Sequence, residues 1–539
     1  MSSRLAQYLN KYLVGSAYSE ADVLAEFSRD QSVLEMTPEV VVCPENVLDI
    51  CKTVMLANQL ALKGHHIGVT ARGSGNDKTG AAIGEGILLD MRSKMNRIID
   101  VDPRQRLIHV QAGVTLGELN KALFTHGLCL PLTLTGVESP ELNDQNHTIG
   151  GLIANNLGGQ APFRLGRLSD YLMQVEAVLA DGSILHTKSQ HVRKMPSAES
   201  SATFAEKIGA NLLAFANENK AELDNLAKER AGNAGYAPFL ARTIAENGRF
   251  NLLPLFLGSQ GTLGIVTEAI LYADYLGPVP DLVAVRFESV KQLTSLADYI
   301  LSEEPSIFNI FDARIFGEAK DLGKIFDKLT DVERGTVVAL IGFDDMSARV
   351  RGRKVGRLAK LLAQNEIAFA TSENDNFTQS WFNNFVDLSV NSENKTTLCD
   401  GVLVPTTALE KYWNGLKRLE RLLDNEMPVF GSLLTNLYSV RPKFDLERPD
   451  KQPVFRFVRE YSHFVNSCGG HLAGEAGEGR LLSLSSTNLY NDFGREVNQF
   501  VKRQFDPNNI LNPNVKQLNN IDEISQNLCE ENDFGLVKI

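Results

Sequence analysis

The chain has 539 residues, 43% of them apolar and 22% charged, and a formal net charge of −12. That length exceeds what a single hydrophobic core normally fills, so two or more domains are expected. The acidic balance, with no long basic run to offset it, excludes a nucleic-acid-binding surface. No apolar stretch reaches the ~18 residues of a membrane span. The N-terminal stretch Met1–Tyr18 lacks the apolar core of a secretion signal. The 6 cysteines are scattered with no C-x-x-C pair, which argues against an iron–sulfur or zinc-ribbon site and against a disulfide framework. A cytoplasmic protein is expected, with peripheral membrane association left open.

In chain order, residues 1–34 read as a helical, peripheral segment. Glu45 to Lys63 places apolar residues at helical spacing. A strand-like run ending at Val69 then breaks into a first glycine-dense block, Arg72-Gly73-Ser74-Gly75-Asn76-Asp77. Successive backbone N–H groups in such a loop can form a nest for phosphate oxygens, with a nearby arginine adding charge. Gly86 to Asp90 reads as a buried strand and Leu107 to Ala112 as another, its His109 a partnered structural residue. Thr115 to Thr125 is expected to be a helix with Thr115 as its N-cap.

A second block, Thr148 to Gly159, carries the pairs Gly150-Gly151 and Gly158-Gly159 around Ala154 and Asn155. Met173 to His186 reads as a hairpin turning at Asp181-Gly182. Lys188 to Asn251 is a polar insertion with helical stretches. A third block, Gly258 to Thr267, presents Gly261, Thr262 and Gly264 before a strand that opens with Ile265 and Val266. One glycine loop is weak evidence. Three, each flanked by strand-like runs, point to one long ligand touched from several elements.

From about Gly277 short strands alternate with helices, the pattern of a small open-faced sheet covered on one side. His471 to Glu475 reads as extended. Side chains two and four positions apart on a strand share a side, so His471, Ala473 and Glu475 should project together. An imidazole near that carboxylate, or near Tyr438 of a neighbouring strand, could act as a base. Glu478 and Arg480 are the next candidates, as a base and an anion clamp.

These blocks resemble the flavin-binding half of the vanillyl-alcohol oxidase / p-cresol methylhydroxylase (PCMH-type) family. They are most similar to its FAD-linked 2-hydroxyacid dehydrogenase branch, and Asp506-Pro507-Asn508-Asn509-Ile510-Leu511-Asn512-Pro513 matches that branch's C-terminal signature. The resemblance implies an α+β protein: a two-part PCMH-type FAD-binding domain at 35–275, an α/β cap with a small antiparallel sheet at 276–500, and residues 501–539 returning to the first domain. It also implies Pro131, Leu132, Thr133, Gly166 and Asn512 as neighbours of the flavin. Relatives with a covalent flavin often carry a histidine just inside the first loop. Asn76 and Asp77 stand there here, so non-covalent FAD is expected.

The catalytic half departs from that branch. Two metal-ligating histidines are replaced by Ser432 and Tyr438, the catalytic histidine of a Gly-Glu-His-Gly motif by Ala476, and a carboxylate-gripping arginine by Asn384. Glu475 alone cannot hold a divalent metal, so no metal is expected. The resemblance implies a dehydrogenase passing a hydride from a small hydroxylated substrate, such as D-lactate or another 2-hydroxy acid, to FAD. Its electron acceptor would be a quinone, a cytochrome, another flavoprotein or oxygen. A homodimer, and a flavin-binding protein without catalysis that serves as a binding or electron-transfer subunit, are left open.

Overall fold

The computed structural model describes residues 2–132, 146–157, 168–197, 199–229, 234–244, 247–318, 336–371, 399, 401–440, 442, 444, 452–474, 476–483, 490–517 and 521–529. Three main sheets organise them. In the first, Val40–Cys43, Ile87–Asp90 and Val69–Arg72 run parallel in that order, and Ser16–Tyr18 adds an antiparallel edge. Parallel strands are covered on both faces, which explains why Ile87–Asp90 is buried at every position.

The helix Val47–Leu62 makes the crossover and buries Ile50, Val54, Ala57 and Ala61 against this sheet. Asp49 in its first turn is fully buried. Its carboxylate accepts the N–H groups of Val14 and Gly15, both at 2.9 Å, and of Glu45 at 3.1 Å. That anchor explains why the N-terminal segment, expected to be helical throughout, also supplies an edge strand.

The second sheet is antiparallel, in the order Ile98–Asp102, Leu107–Gln111, Ile265–Tyr272, Leu172–Val178, Ile184–His186. The hairpin turns where the sequence places it, with Gly182 at φ +82°. Thr115 caps the helix Leu116–Phe124 in a reciprocal box with Glu118, an arrangement worth about 1 kcal/mol. His109 lies 2.7 Å from the Glu268 carboxylate, the partnered histidine expected. The expected boundary at residue 500 falls inside the helix Asp492–Phe505, whose Val497, Val501 and Phe505 belong to the core of this second sheet.

The third sheet has 7 antiparallel strands in the order Ala368–Thr371, Asp281–Phe287, Val337–Phe343, Ile307–Asp312, Val429–Ser432, Leu437–Val440, Val402–Leu403. Helices Val290–Ser302, Ala348–Gln364, Leu409–Leu423 and Gln452–Ser467 contribute to its core. The sheet was expected to be open on one face. Ile307–Asp312 and Val337–Phe343 are instead buried at every position, so neither face meets water there.

The C-terminal residues divide. Ile510 and Leu511 join the first sheet's core, whereas Ile524 and Leu528 join the third's, where Leu528 bridges Leu34. No helix among the described residues is long and apolar enough to cross a membrane.

Candidate active site at the meeting of the glycine blocks

The strand Val69–Arg72 delivers the first glycine block, and the loop ties itself down. The Asp77 carboxylate accepts the Thr79 N–H and hydroxyl, each at 2.8 Å, and the Ala81 N–H at 2.9 Å. Arg72 is buried and turns under its own loop, donating to the Ala82 carbonyl at 3.3 Å. Gly75, at φ +72°, sits where a β-carbon would strike that guanidinium. A β-carbon at Gly73 would strike the Thr148 side chain, and the Ser74 hydroxyl donates to the Asn146 carbonyl. The first block therefore lies directly on the second.

Thr148 caps the helix Ile149–Asn155 by accepting the Gly151 N–H at 3.2 Å. Gly150 was expected to let backbone approach a cofactor. Its N–H instead donates to the Ala112 carbonyl at 2.7 Å, and a β-carbon there would come within 3.0 Å of the Ala112 methyl. Its close approach is to the neighbouring backbone. Gly264 serves the same end, against Phe256 and the Val178 carbonyl. Thr262 is buried, bonding the Tyr236 hydroxyl and the Ser259 carbonyl, both at 2.6 Å. Ile265 is buried and Val266 half-buried at the head of their strand. Leu132 is buried in the second core and Pro131 half-buried beside it.

Two amides that the sequence does not mark as connectors join these parts. The Gln260 side chain donates to Asn155 Oδ1 at 3.0 Å and Thr79 Oγ1 at 3.1 Å, lies 3.4 Å from Asp77 Oδ2, and accepts the Gly479 N–H at 2.8 Å. Its backbone N–H donates to the Ala154 carbonyl at 2.9 Å. Asn512 donates to the carbonyls of Ala81 at 2.8 Å and Gln260 at 2.7 Å, and accepts the Thr70 hydroxyl at 3.1 Å. Asn512, expected beside the flavin, is thus a buried tie between the first and third blocks.

On the cap side, His471 exchanges backbone hydrogen bonds with Leu403, at 2.9 and 3.0 Å, extending the edge of the third sheet. Opposed residues on paired strands share a face. The pairing Leu403↔Leu437 therefore sets His471, Leu403 and Leu437 on one side, and Val402↔Tyr438 sets Tyr438 on the other. Alternation agrees: Leu472 enters the cap core with Tyr438, whereas Ala473 enters the core of the second sheet. Tyr438 is fully buried, its ring 5.8 Å from that of Tyr412, and burial pushes its phenol pKa up. Its hydroxyl has no hydrogen-bond partner. The structure does not bring Tyr438 together with His471.

Glu478 and Arg480 are likewise engaged in the fold. Glu478 accepts the Gly235 N–H at 3.0 and 3.2 Å and pairs with buried Lys516 at 3.4 Å. Burial pulls the Lys516 pKa down against the pull of Glu478. Arg480 donates to the Gly80 carbonyl, to the Pro513 carbonyl at 3.1 Å and to Asn512 at 3.3 Å. Neither is placed as the base or the anion clamp that the sequence suggests. Thr133, Gly158, Gly159, Gly166 and Glu475 lie outside the described residues. Among the described residues no group of three or more His, Cys, Asp or Glu side chains could hold a metal ion.

The positions of the three blocks that stay partly accessible are Gly73, Ser74, Asn76, Gly150, Gly151, Ala154, Asn155, Gly261 and Val266. A β-carbon at Gly261, which sits at φ +74°, would meet only Asn512 at 3.9 Å. Such a cradle, rich in free backbone and small residues and backed by buried Arg72, fits a long phosphate-bearing ligand. Behind the first loop Asp30 is buried. Burial and the neighbouring Asp77 push its pKa up to about 7, against hydrogen bonds from Ser32 and the charge of Arg72.

Comparison with known proteins agrees with this geometry. A family profile described as "FAD binding domain" matches residues 38–188, and one described as "FAD linked oxidases, C-terminal domain" matches 279–515. The chain is 26% identical over 523 residues to the D-2-hydroxyglutarate dehydrogenase of Escherichia coli, covering 92% of this chain and 50% of that one. It is 24% identical over 478 residues to the D-lactate dehydrogenase of Archaeoglobus fulgidus, covering 88% of this chain and 90% of that one. The chain thus spans about half the length of the D-2-hydroxyglutarate dehydrogenases it matches. A solved structure of 4-ethylphenol oxidase from Gulosibacter chungangensis superposes with a TM-score of 0.65 at 14% identity, covering 97% of this chain and 98% of that one. At that identity the likeness shows the fold.

Proposed function

The chain belongs to the FAD-linked oxidases of PCMH-type fold, and from that premise we propose that it is a dehydrogenase that oxidises a small hydroxylated substrate, a 2-hydroxy acid being the first class to try. The observation that carries the reading is the convergence of three glycine blocks on one cradle, with a histidine-bearing strand of the cap on the side away from its helices. Gly73, Ser74, Asn76, Gly151, Ala154, Asn155 and Gly261 would hold FAD, with Arg72 charging the loop from beneath. When bound, FAD supplies the acceptor for a hydride leaving a substrate carbon. Asn76 and Asp77 offer no histidine for attachment, so the cofactor is held without a covalent link.

Oxidation of a carbinol also releases the hydroxyl proton. His471 is 4% exposed and lies on the same side of its strand as Ala473. It would accept that proton on a ring nitrogen, with its backbone fixed by Leu403. The residues that grip a 2-hydroxy acid's carboxylate in the family are altered here, so the substrate is expected to differ in its charged end. Electrons would leave to a quinone, a cytochrome, another flavoprotein or oxygen.

The test is anaerobic: the purified flavoprotein is mixed with a panel of D-2-hydroxy acids and neutral alcohols, and the visible flavin absorption is followed. At least one compound should bleach it. With that compound His471→Asn should slow bleaching ~100-fold at unchanged FAD content, the loss typical of a general base, while Tyr438→Phe leaves the rate as it was. Failure of every compound, with the flavin still reducible by dithionite, would favour a binding or electron-transfer subunit instead.

A further inference from the structure

We infer that Gln260 is the positioning residue that registers the glycine blocks with one another and with the cap, and that it thereby sets how tightly FAD is retained. This rests on the reading of the three blocks as the FAD cradle. Its amide nitrogen joins the first block at Thr79 and the second at Asn155, and lies beside Asp77. Its amide oxygen takes the N–H of Gly479 from the cap, and its own carbonyl takes the amide of Asn512. One side chain therefore touches every part that borders the cradle.

The local backbone shows that this position is held from outside. Gln260 is 3% exposed and stands at φ +52°, a left-handed conformation that a residue with a β-carbon adopts only when its surroundings fix it. The cap is shaped to meet it: a β-carbon at Gly477 would strike the Gln260 side chain. The amide is also used by its chemistry. Both nitrogen contacts under 3.2 Å go to oxygens, Asn155 Oδ1 and Thr79 Oγ1, and Asp77 Oδ2 is near; the oxygen faces an N–H. A donor end and an acceptor end are both required, and a neutral amide supplies them.

Gln260→Glu keeps the shape and the acceptor but loses the donor. As a carboxylate it sets like charge against Asp77. A carboxyl held near another carboxylate has its pKa raised, so mild acid restores a neutral group with one O–H donor. The experiment titrates apoprotein with FAD by fluorescence from pH 5 to pH 8 for the parent, Gln260→Glu and Gln260→Met. The parent should bind throughout. Gln260→Glu should bind ~10-fold or more weakly at pH 8 and recover toward the parent at pH 5. Gln260→Met, which cannot regain a donor, should stay weak at both.

A merely structural, space-filling Gln260 would give no pH-dependent recovery specific to the glutamate variant. Equal affinity of Gln260→Glu and parent at pH 8, or no such recovery, overturns the inference. Should Gln260→Glu yield no folded protein, Asn155→Ala removes one partner at a half-buried site. It should weaken FAD binding several-fold, and unchanged affinity would overturn the inference equally. A parent that binds no FAD would instead sink the reading of the cradle itself.

Discussion

Asp30 carries a charge that changes near neutral pH. Its carboxyl is pushed up to about 7 by burial first and by Asp77 second, while in the unfolded chain it ionises near the usual ~3.9. Between those values the folded state holds a proton that the unfolded state has lost. Stability therefore falls as pH rises from about 4 to about 7 and is level beyond. The loss is on the order of 4 kcal/mol at most, at 1.36 kcal/mol per pKa unit. Asp30→Asn, which keeps the acceptor for Ser32 without the charge, should flatten this slope. Melting temperatures of the parent and variant at pH 5 and pH 8 check it, and parallel slopes would refute the assignment. Much at this scale was hidden in the sequence. Gln260 sits in a block singled out for its glycines, but its partner Gly479 lies 219 residues away, and nothing local announces the pairing. Glu478 and Arg480 looked reactive because charge in a glycine-rich segment is legible, whereas the carbonyls and N–H groups that consume them are not.

Elements whose signals are local were readable. The cap at Thr115, the hairpin at Asp181-Gly182 and the helix from Val47 each follow from residues within a few positions of one another. Strands such as Ile307–Asp312 and Leu437–Val440 escaped because, being buried on both faces, they show no alternation. The edge strand Ser16–Tyr18 escaped for another reason: it is fixed by Asp49, more than thirty positions on, whose carboxylate holds the N–H groups of Val14 and Gly15. Asp49→Ala would leave three N–H groups without their acceptor. At ~1–3 kcal/mol for each buried group left unsatisfied, and with water entering to relieve some of them, a loss of about 3 kcal/mol is expected. Asp49→Asn, which retains an acceptor oxygen, should lose less. Denaturant midpoints of the two variants measure this, and an unchanged midpoint for Asp49→Ala would show that the anchor is not needed.

At the scale of the whole molecule, the three sheets are joined by ties that cross between them: Asn512 to the first and third glycine blocks, Lys516 to Glu478, and Leu34 to Leu528. The sequence indicated the two-part flavin-binding architecture, because close backbone approach leaves glycine as its trace whatever the surrounding residues are. It did not indicate that many of those glycines serve protein contacts. Gly73, Gly150 and Gly264 meet Thr148, Ala112 and Phe256, so part of the glycine signal records how tightly the cradle is built. The central claim is that this cradle holds FAD without a covalent bond. Acid precipitation of the purified protein, followed by the absorption spectrum of supernatant and pellet, tests it most directly. The account predicts yellow protein that releases close to one FAD per chain into the supernatant; colourless protein that takes up no FAD on reconstitution, or flavin that stays with the precipitated chain, would contradict it.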